Sequence, residues 1–174
     1  YTIYLLSYEL YKDKYFSIVV SLSFYLLPAV SVSSFLLSTD IVLIFFWSLS
    51  LWILIKIQKK PIFLNFLLLG IFLGLSFLAK YAAVYFLISL LLCVFFDRKI
   101  RKVFLDNVFN SICFLFTTFL IVLPNILWNL NNQWVTFDHT SDNIGFERIG
   151  FNFFQGLEFL LTQAVMMGPV LFFS

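Results

Sequence analysis

Nine of the eleven lysines and arginines stand in three short clusters, separated by long stretches almost free of charge. Lys12 and Lys14 form the first cluster, Lys56, Lys59 and Lys60 the second, and Arg98, Lys99, Arg101 and Lys102 the third. The interval from Lys14 to Lys56 is 42 residues, and from Lys56 to Arg98 another 42. Asp40 is the sole charge inside the first interval, and Lys80 is the sole charge between Lys60 and Asp97. Runs of this length leave no residues for a water-facing shell. Soluble domains carry about 25% charged residues, whereas this chain has 11%, against 62% hydrophobic. In lipid every backbone polar group must be satisfied within the protein, and helices do this locally. The expected fold is therefore all-α, a polytopic transmembrane helical bundle.

The clusters set the topology. One bilayer crossing takes about 20 residues, and a single helix of 42 would be about 63 Å long, twice the hydrocarbon thickness. Each interval therefore reads as two crossings, out and back. Loops rich in Lys and Arg stay cytoplasmic, so all three clusters are expected on that face. A first hairpin covers residues 16–57, running out over 16–35 and back over 39–57. A second covers 62–96, out over 62–78 and back over 81–96. Residues 1–10 read as the end of a truncated helix, 104–123 as a helix that Pro124 ends or kinks, and 124–150 as an extracytoplasmic loop. A truncated helix over 153–174 completes about six full or partial crossings in one transmembrane domain, 1–174. The missing initiator Met and the apolar ends suggest an internal piece of a longer protein.

On this plan Asp40, Lys80 and the polar loop meet at one membrane face. The sequence before the apolar run at Asp40 is Ser-Thr-Asp, which suits a helix cap, and its carboxylate suits the helix dipole. It equally suits a site residue at the membrane surface, and the two roles are compatible. Lys80 runs against the positive-inside bias. It reads as a snorkelling side chain or as a cation for a phosphate group. Gly70 and Gly74, in GIFLG, form a small-xxx-small motif for close helix packing.

In the loop, Asn129 and Trp134 offer an amide and an indole suited to sugar hydroxyls and ring faces. Asp138, His139 and Asp142 fall within five residues. They read as a solvated loop more readily than as a divalent-cation site. His139 also suits a sugar or a phosphate. No cofactor is assigned. Cys93 and Cys113 lie in apolar runs and read as packing residues. The net charge of +2 is too small to suggest a nucleic-acid partner. No phosphate-binding, dinucleotide, nucleophile-elbow or zinc motif is present.

Three stretches, LLSTDIVLIFFWSLSLWILI, LLLGIFLGLSFLAKYAAVYFL and LPNILWNLNNQWVTFDHTSDN, resemble successive blocks of bacterial membrane glycosyltransferases. The type is GT-C, in the branch of protein O-mannosyltransferases and the aminoarabinose transferase of lipid A. The resemblance spans about residues 16–172.

It implies transfer of a sugar from a polyprenyl-phosphate carrier to a lipid, glycan or protein acceptor. The site would face outward from the bacterial cytoplasmic membrane, with membrane lipid around it. It implies an acidic pair in a first outer loop, upstream of Tyr1, that supplies the main catalytic base. Asp40 corresponds to a second, supporting acidic position. Lys80, Asn129, Trp134, Asp138, His139 and Asn143 are expected to bind substrate, with Lys80 on the carrier phosphate. The other reading is a transporter or flippase for a lipid-linked sugar, which would place charges near the midplane of several helices.

Overall fold

The computed structural model describes residues 1–36, 38–136 and 153–167, with side chains of the last stretch described over 154–163. Among these residues every regular element is helical. The helices are α1 (Thr2–Tyr11), α2 (Lys14–Tyr25), α3 (Pro28–Phe35), α4 (Thr39–Lys59), α5 (Phe63–Ala79), α6 (Val84–Phe96), α7 (Arg98–Asp106), α8 (Val108–Asn131) and α9 (Phe153–Met167). A single 3-10 turn, Tyr81–Ala83, joins α5 to α6. The all-helical expectation holds. By length and hydropathy α4 and α8 can each cross a membrane, and α2 with α3 makes a third span if the bent pair is counted as one. The apolar helix α5 has 17 residues, about 26 Å at 1.5 Å per residue, a little short of a full crossing.

The centre of the bundle is α5. It lies between α4, which runs antiparallel to it, and α8, which runs parallel. Phe46 of α4 stacks on Phe72 with ring centroids 6.5 Å apart. Phe66, Leu69 and Leu73 of α5 are fully buried and share one core with Ile53, Ile57 and Phe114. Two glycines allow α8 to approach. A Cβ added at Gly70 would lie 2.6 Å from the Phe114 carbonyl oxygen, and one at Gly74 would lie 2.8 Å from Ile121 Cβ. The Thr118 hydroxyl then donates to the Gly70 oxygen at 3.2 Å and to the Phe114 oxygen at 3.0 Å. GIFLG is thus a packing motif, as its spacing suggests.

Buried hydroxyls of α4, α5 and α8 are satisfied within the bundle, whereas that of Ser7 in α1 has no hydrogen-bond partner among the described residues. Ser48, Ser50, Ser76 and Thr117 each donate to the carbonyl four residues earlier, the local bonding that lets Ser and Thr sit in apolar helices. The outward faces are as apolar as the core. Phe95 and Phe109 are each 72% exposed, a liability in water and the normal outer surface in lipid.

The structure differs from the sequence reading in three places. The stretch expected to cross as one helix over 16–35 is broken between α2 and α3 and bent by 64°. Pro28 starts α3 at its first position, where a missing N–H costs least. The basic stretch at 98–106 forms its own short helix, α7, capped by Asp97, whose carboxylate accepts from the Lys99 and Ile100 N–H groups. Finally, α8 passes through Pro124 and continues to Asn131, so residues 124–131 are helix rather than loop. Proline is tolerated inside membrane helices because packed neighbours offset the lost hydrogen bond.

Candidate functional site

The directions of α4, α5 and α8 bring three helix ends together: the start of α4, the end of α5 and the end of α8. The C-terminal residue of α5 is followed by Lys80, in extended backbone, with its N–H still bonded to the Ser76 oxygen at 3.0 Å. The 3-10 turn begins at once, and the Ala83 N–H bonds back to the Lys80 oxygen at 3.1 Å. This corner aims two neighbouring side chains at different partners. Lys80 turns to α4 and Tyr81 turns to α8.

Lys80 Nζ lies 2.5 Å from Asp40 Oδ1. The two residues are 40 apart in sequence. Asp40 sits in the first turn of α4, one residue inside the Ser38–Thr39 start, and it does not cap the helix. Its carboxylate goes to the ammonium instead. Both side chains remain about half exposed, Lys80 at 48% and Asp40 at 49%. A half-exposed ion pair contributes at most about 1 kcal/mol to stability. Its value as a structural staple is therefore small, and both groups stay open to a ligand.

Beside this pair is a polar knot. The Tyr81 hydroxyl donates to Asn125 Oδ1 at 3.0 Å and lies 3.3 Å from Thr136 Oγ1. Asn129 is 2% exposed. Its amide nitrogen donates to the Asn125 carbonyl at 2.9 Å and reaches the Tyr81 hydroxyl at 3.3 Å. Its amide oxygen accepts from the Thr136 hydroxyl. Asn125 and Asn129 are four residues apart, so both face Tyr81 from one side of α8.

The knot also shapes the chain beyond α8. The Asn129 carbonyl accepts the Trp134 N–H at 2.9 Å. Gln133 and Trp134 have φ of 55° and 60°, left-handed values uncommon outside glycine. Neither residue adopts them without support, and the bonds at Asn129 and Thr136 hold the turn. Trp134 itself is 44% exposed, and so it presents its indole outward.

The structure thus brings Asp40, Lys80, Asn129 and Trp134 to one end of the bundle. Asn129 is buried and engaged at both ends of its amide. Asp138, His139 and Asn143 lie outside the described residues. Tyr81, Asn125 and Thr136 escape the sequence reading. The signals for them are the tyrosine beside the lone lysine and the Asn-x-x-x-Asn spacing in α8.

A profile of the dolichyl-phosphate-mannose-protein mannosyltransferase family matches residues 1–128. The lipid A galacturonosyltransferase RgtD of Rhizobium johnstonii is 32% identical to the chain over 152 residues. That alignment covers 85% of the chain and 30% of the relative, so the chain spans less than a third of the relative's length. No solved structure matches. A family profile covering most of the helical core, together with this relative, shows that the chain belongs to the dolichyl-phosphate-mannose-protein mannosyltransferase family.

Proposed function

We propose that this chain forms part of a membrane glycosyltransferase that takes a sugar from a polyprenyl-phosphate carrier at the extracytoplasmic face. The observation that carries the reading is the Asp40–Lys80 pair, half exposed at the bundle end that also holds Trp134 and the asparagine knot. Transfer breaks the bond between the anomeric carbon and the phosphate oxygen and makes one to an acceptor hydroxyl. The leaving group is polyprenyl phosphate, whose growing negative charge needs a nearby cation. Lys80 supplies it. The acceptor's proton needs a carboxylate. Asp40 orients the acceptor or the main base, and it holds the Lys80 ammonium in place until the phosphate arrives. Trp134 offers a ring face to the sugar, and the family resemblance assigns Asp138, His139 and Asn143 to substrate binding as well.

RgtD is a lipid A galacturonosyltransferase by name, which favours a lipid-anchored glycan among the acceptors. The charges of α2 and α4 lie at their ends and α3, α5, α6 and α8 carry none, as a surface reaction requires, while Glu158 stands within α9. A lipid-linked-sugar transporter would need them along a path through the bilayer.

The test is transfer of a radiolabelled sugar from its polyprenyl phosphate by the full-length enzyme in proteoliposomes. Lys80→Met and Asp40→Asn are compared with wild type at equal membrane abundance. Loss of transfer in both supports the assignment. Near-wild-type transfer in both sinks it.

A further inference from the structure

The opposite end of the bundle carries a surface that sugar transfer does not use. After α6, the chain turns at Asp97 and lays α7 against the core with Phe104 buried and Ile100 and Val103 packed beside it. The outward face of α7 then shows Arg98, Arg101, Lys102 and Leu105, spaced as one helical stripe. Between this stripe and α6 is an open apolar groove of about 890 Å³, lined by Ile88, Leu91, Leu92, Phe95 and Leu105, with Arg101 at its edge. Arg101 donates to the Phe95 carbonyl at 2.9 Å, which fixes a guanidinium at the groove's mouth.

The three basic clusters are not equivalent. In the first two, Lys12 and Lys59 pair with Glu9 at 3.1 and 2.8 Å, and Lys56 lies 3.7 Å from the Trp52 ring centroid. Among the described residues no ion pair engages Arg98, Lys99, Arg101 or Lys102. Asp97, next to Arg98, spends its carboxylate on the α7 backbone, and Asp106 at the end of α7 makes no ion pair among the described residues. Four cations without an anionic partner beside an apolar groove are complementary to one molecule with a phosphate and a hydrocarbon chain. Basic clusters on amphipathic helices next to membrane spans bind anionic lipid by this logic.

We propose that the α6–α7 groove is a binding site for one anionic phospholipid. An acyl chain lies along Ile88, Leu91, Leu92 and Phe95, and the phosphate sits between Arg101 and Lys102. The site is at the end of the bundle away from Asp40 and Lys80, so it anchors the protein and leaves the transfer site open.

The experiment is native mass spectrometry of the full-length protein released from nanodiscs. The probes are phosphatidylglycerol and phosphatidylcholine with identical acyl chains. Wild type is expected to retain one phosphatidylglycerol in preference to phosphatidylcholine. Arg101→Gln with Lys102→Gln should lower that retention roughly tenfold or more. Leu91→Trp should lower it with the charge unchanged, by filling the groove. Lys14→Gln with Lys60→Gln, which removes the same charge elsewhere on that end, should leave it intact. If the Arg101 variant does not reach the membrane, Lys99→Gln with Lys102→Gln keeps the Arg101–Phe95 bond and should still weaken retention.

Three results each overturn the proposal. Equal retention of the two lipids shows no anionic site. An equal loss in the Lys14 and Lys60 variant shows diffuse attraction. Undiminished retention in Leu91→Trp shows that the groove holds no lipid, as when another segment of the full protein fills it.

Discussion

The two ends of this bundle handle charge in opposite ways. The end formed by the α1–α2 turn, the α4–α5 turn and α7 is crowded with lysine and arginine, and Glu9 serves two of them at once. The end formed by the starts of α4 and α6 and the end of α8 has one described cation, Lys80, matched by one carboxylate, Asp40. Beside them stands a neutral network, a tyrosine, two asparagines and a threonine bonded to one another. A crowd of like charges is suited to a headgroup layer, where each cation acts almost alone. A single pair beside a fixed neutral network is suited to positioning a ligand. Side chains at the first end are replaceable, and those at the second depend on each other.

The largest effect expected from this contrast is on transfer. Lys80→Met should lower kcat/KM by about 10²–10³-fold, the scale of losing one group that stabilises developing charge. Lys59→Met, at the crowded end, should leave transfer within a few-fold of wild type. Equal losses in a labelled-donor assay would erase the distinction between the ends.

Next in size is the seam that holds the ends in register. Gly70→Ala forces a methyl against the Phe114 carbonyl and should cost about 1–3 kcal/mol. Gly156→Ala, where a Cβ meets nothing within 4 Å, should not destabilise. Reversible unfolding in mixed detergent micelles measures both, and an unaffected Gly70→Ala would mean that α5 and α8 do not pack this closely.

The knot makes a similar prediction. Asn129→Ala removes the buried amide that bonds to the Asn125 carbonyl, the Tyr81 hydroxyl and the Thr136 hydroxyl and should cost about 1–3 kcal/mol. Tyr81→Phe should cost less, about 0.5–1.5 kcal/mol. The reverse order in the same assay would move the hub of the network from Asn129 to Tyr81. The smallest effect belongs to the crowded end. Glu9→Gln should change stability by less than about 1 kcal/mol, and the difference should shrink as salt is raised. A large, salt-insensitive loss would mean that this end too rests on specific pairs.

Much of this architecture is legible in the sequence. The helix expected over 39–57 is α4, Thr39–Lys59, because a long apolar run between Asp40 and Lys56 has few other fates. The helices flanking Lys80 fall near 62–78 and 81–96 for the same reason. The two glycines of GIFLG declare a close contact by spacing alone, though not with which helix. The break at Leu27 and the passage of α8 through Pro124 are less legible. A proline opens α3 and is absorbed within α8, and what surrounds each one decides the outcome. The knot is hidden for a different reason. Tyr81 is one of eight tyrosines, and nothing in its immediate neighbours marks it as the one that reaches α8.

By itself the sequence determined the solvent of each segment. Hydropathy and charge act residue by residue, so a list of residues suffices to separate lipid-spanning runs from charged ends and to set Asp40 and Lys80 apart from the basic clusters. Only the tertiary structure decided who meets whom. Asp40 finds Lys80 across 40 residues because α4 and α5 run antiparallel. Tyr81 finds Asn125 and Asn129 because two glycines let α8 lie close and parallel to α5. Pairing is a property of two positions in space, and helix direction and contact distance set it.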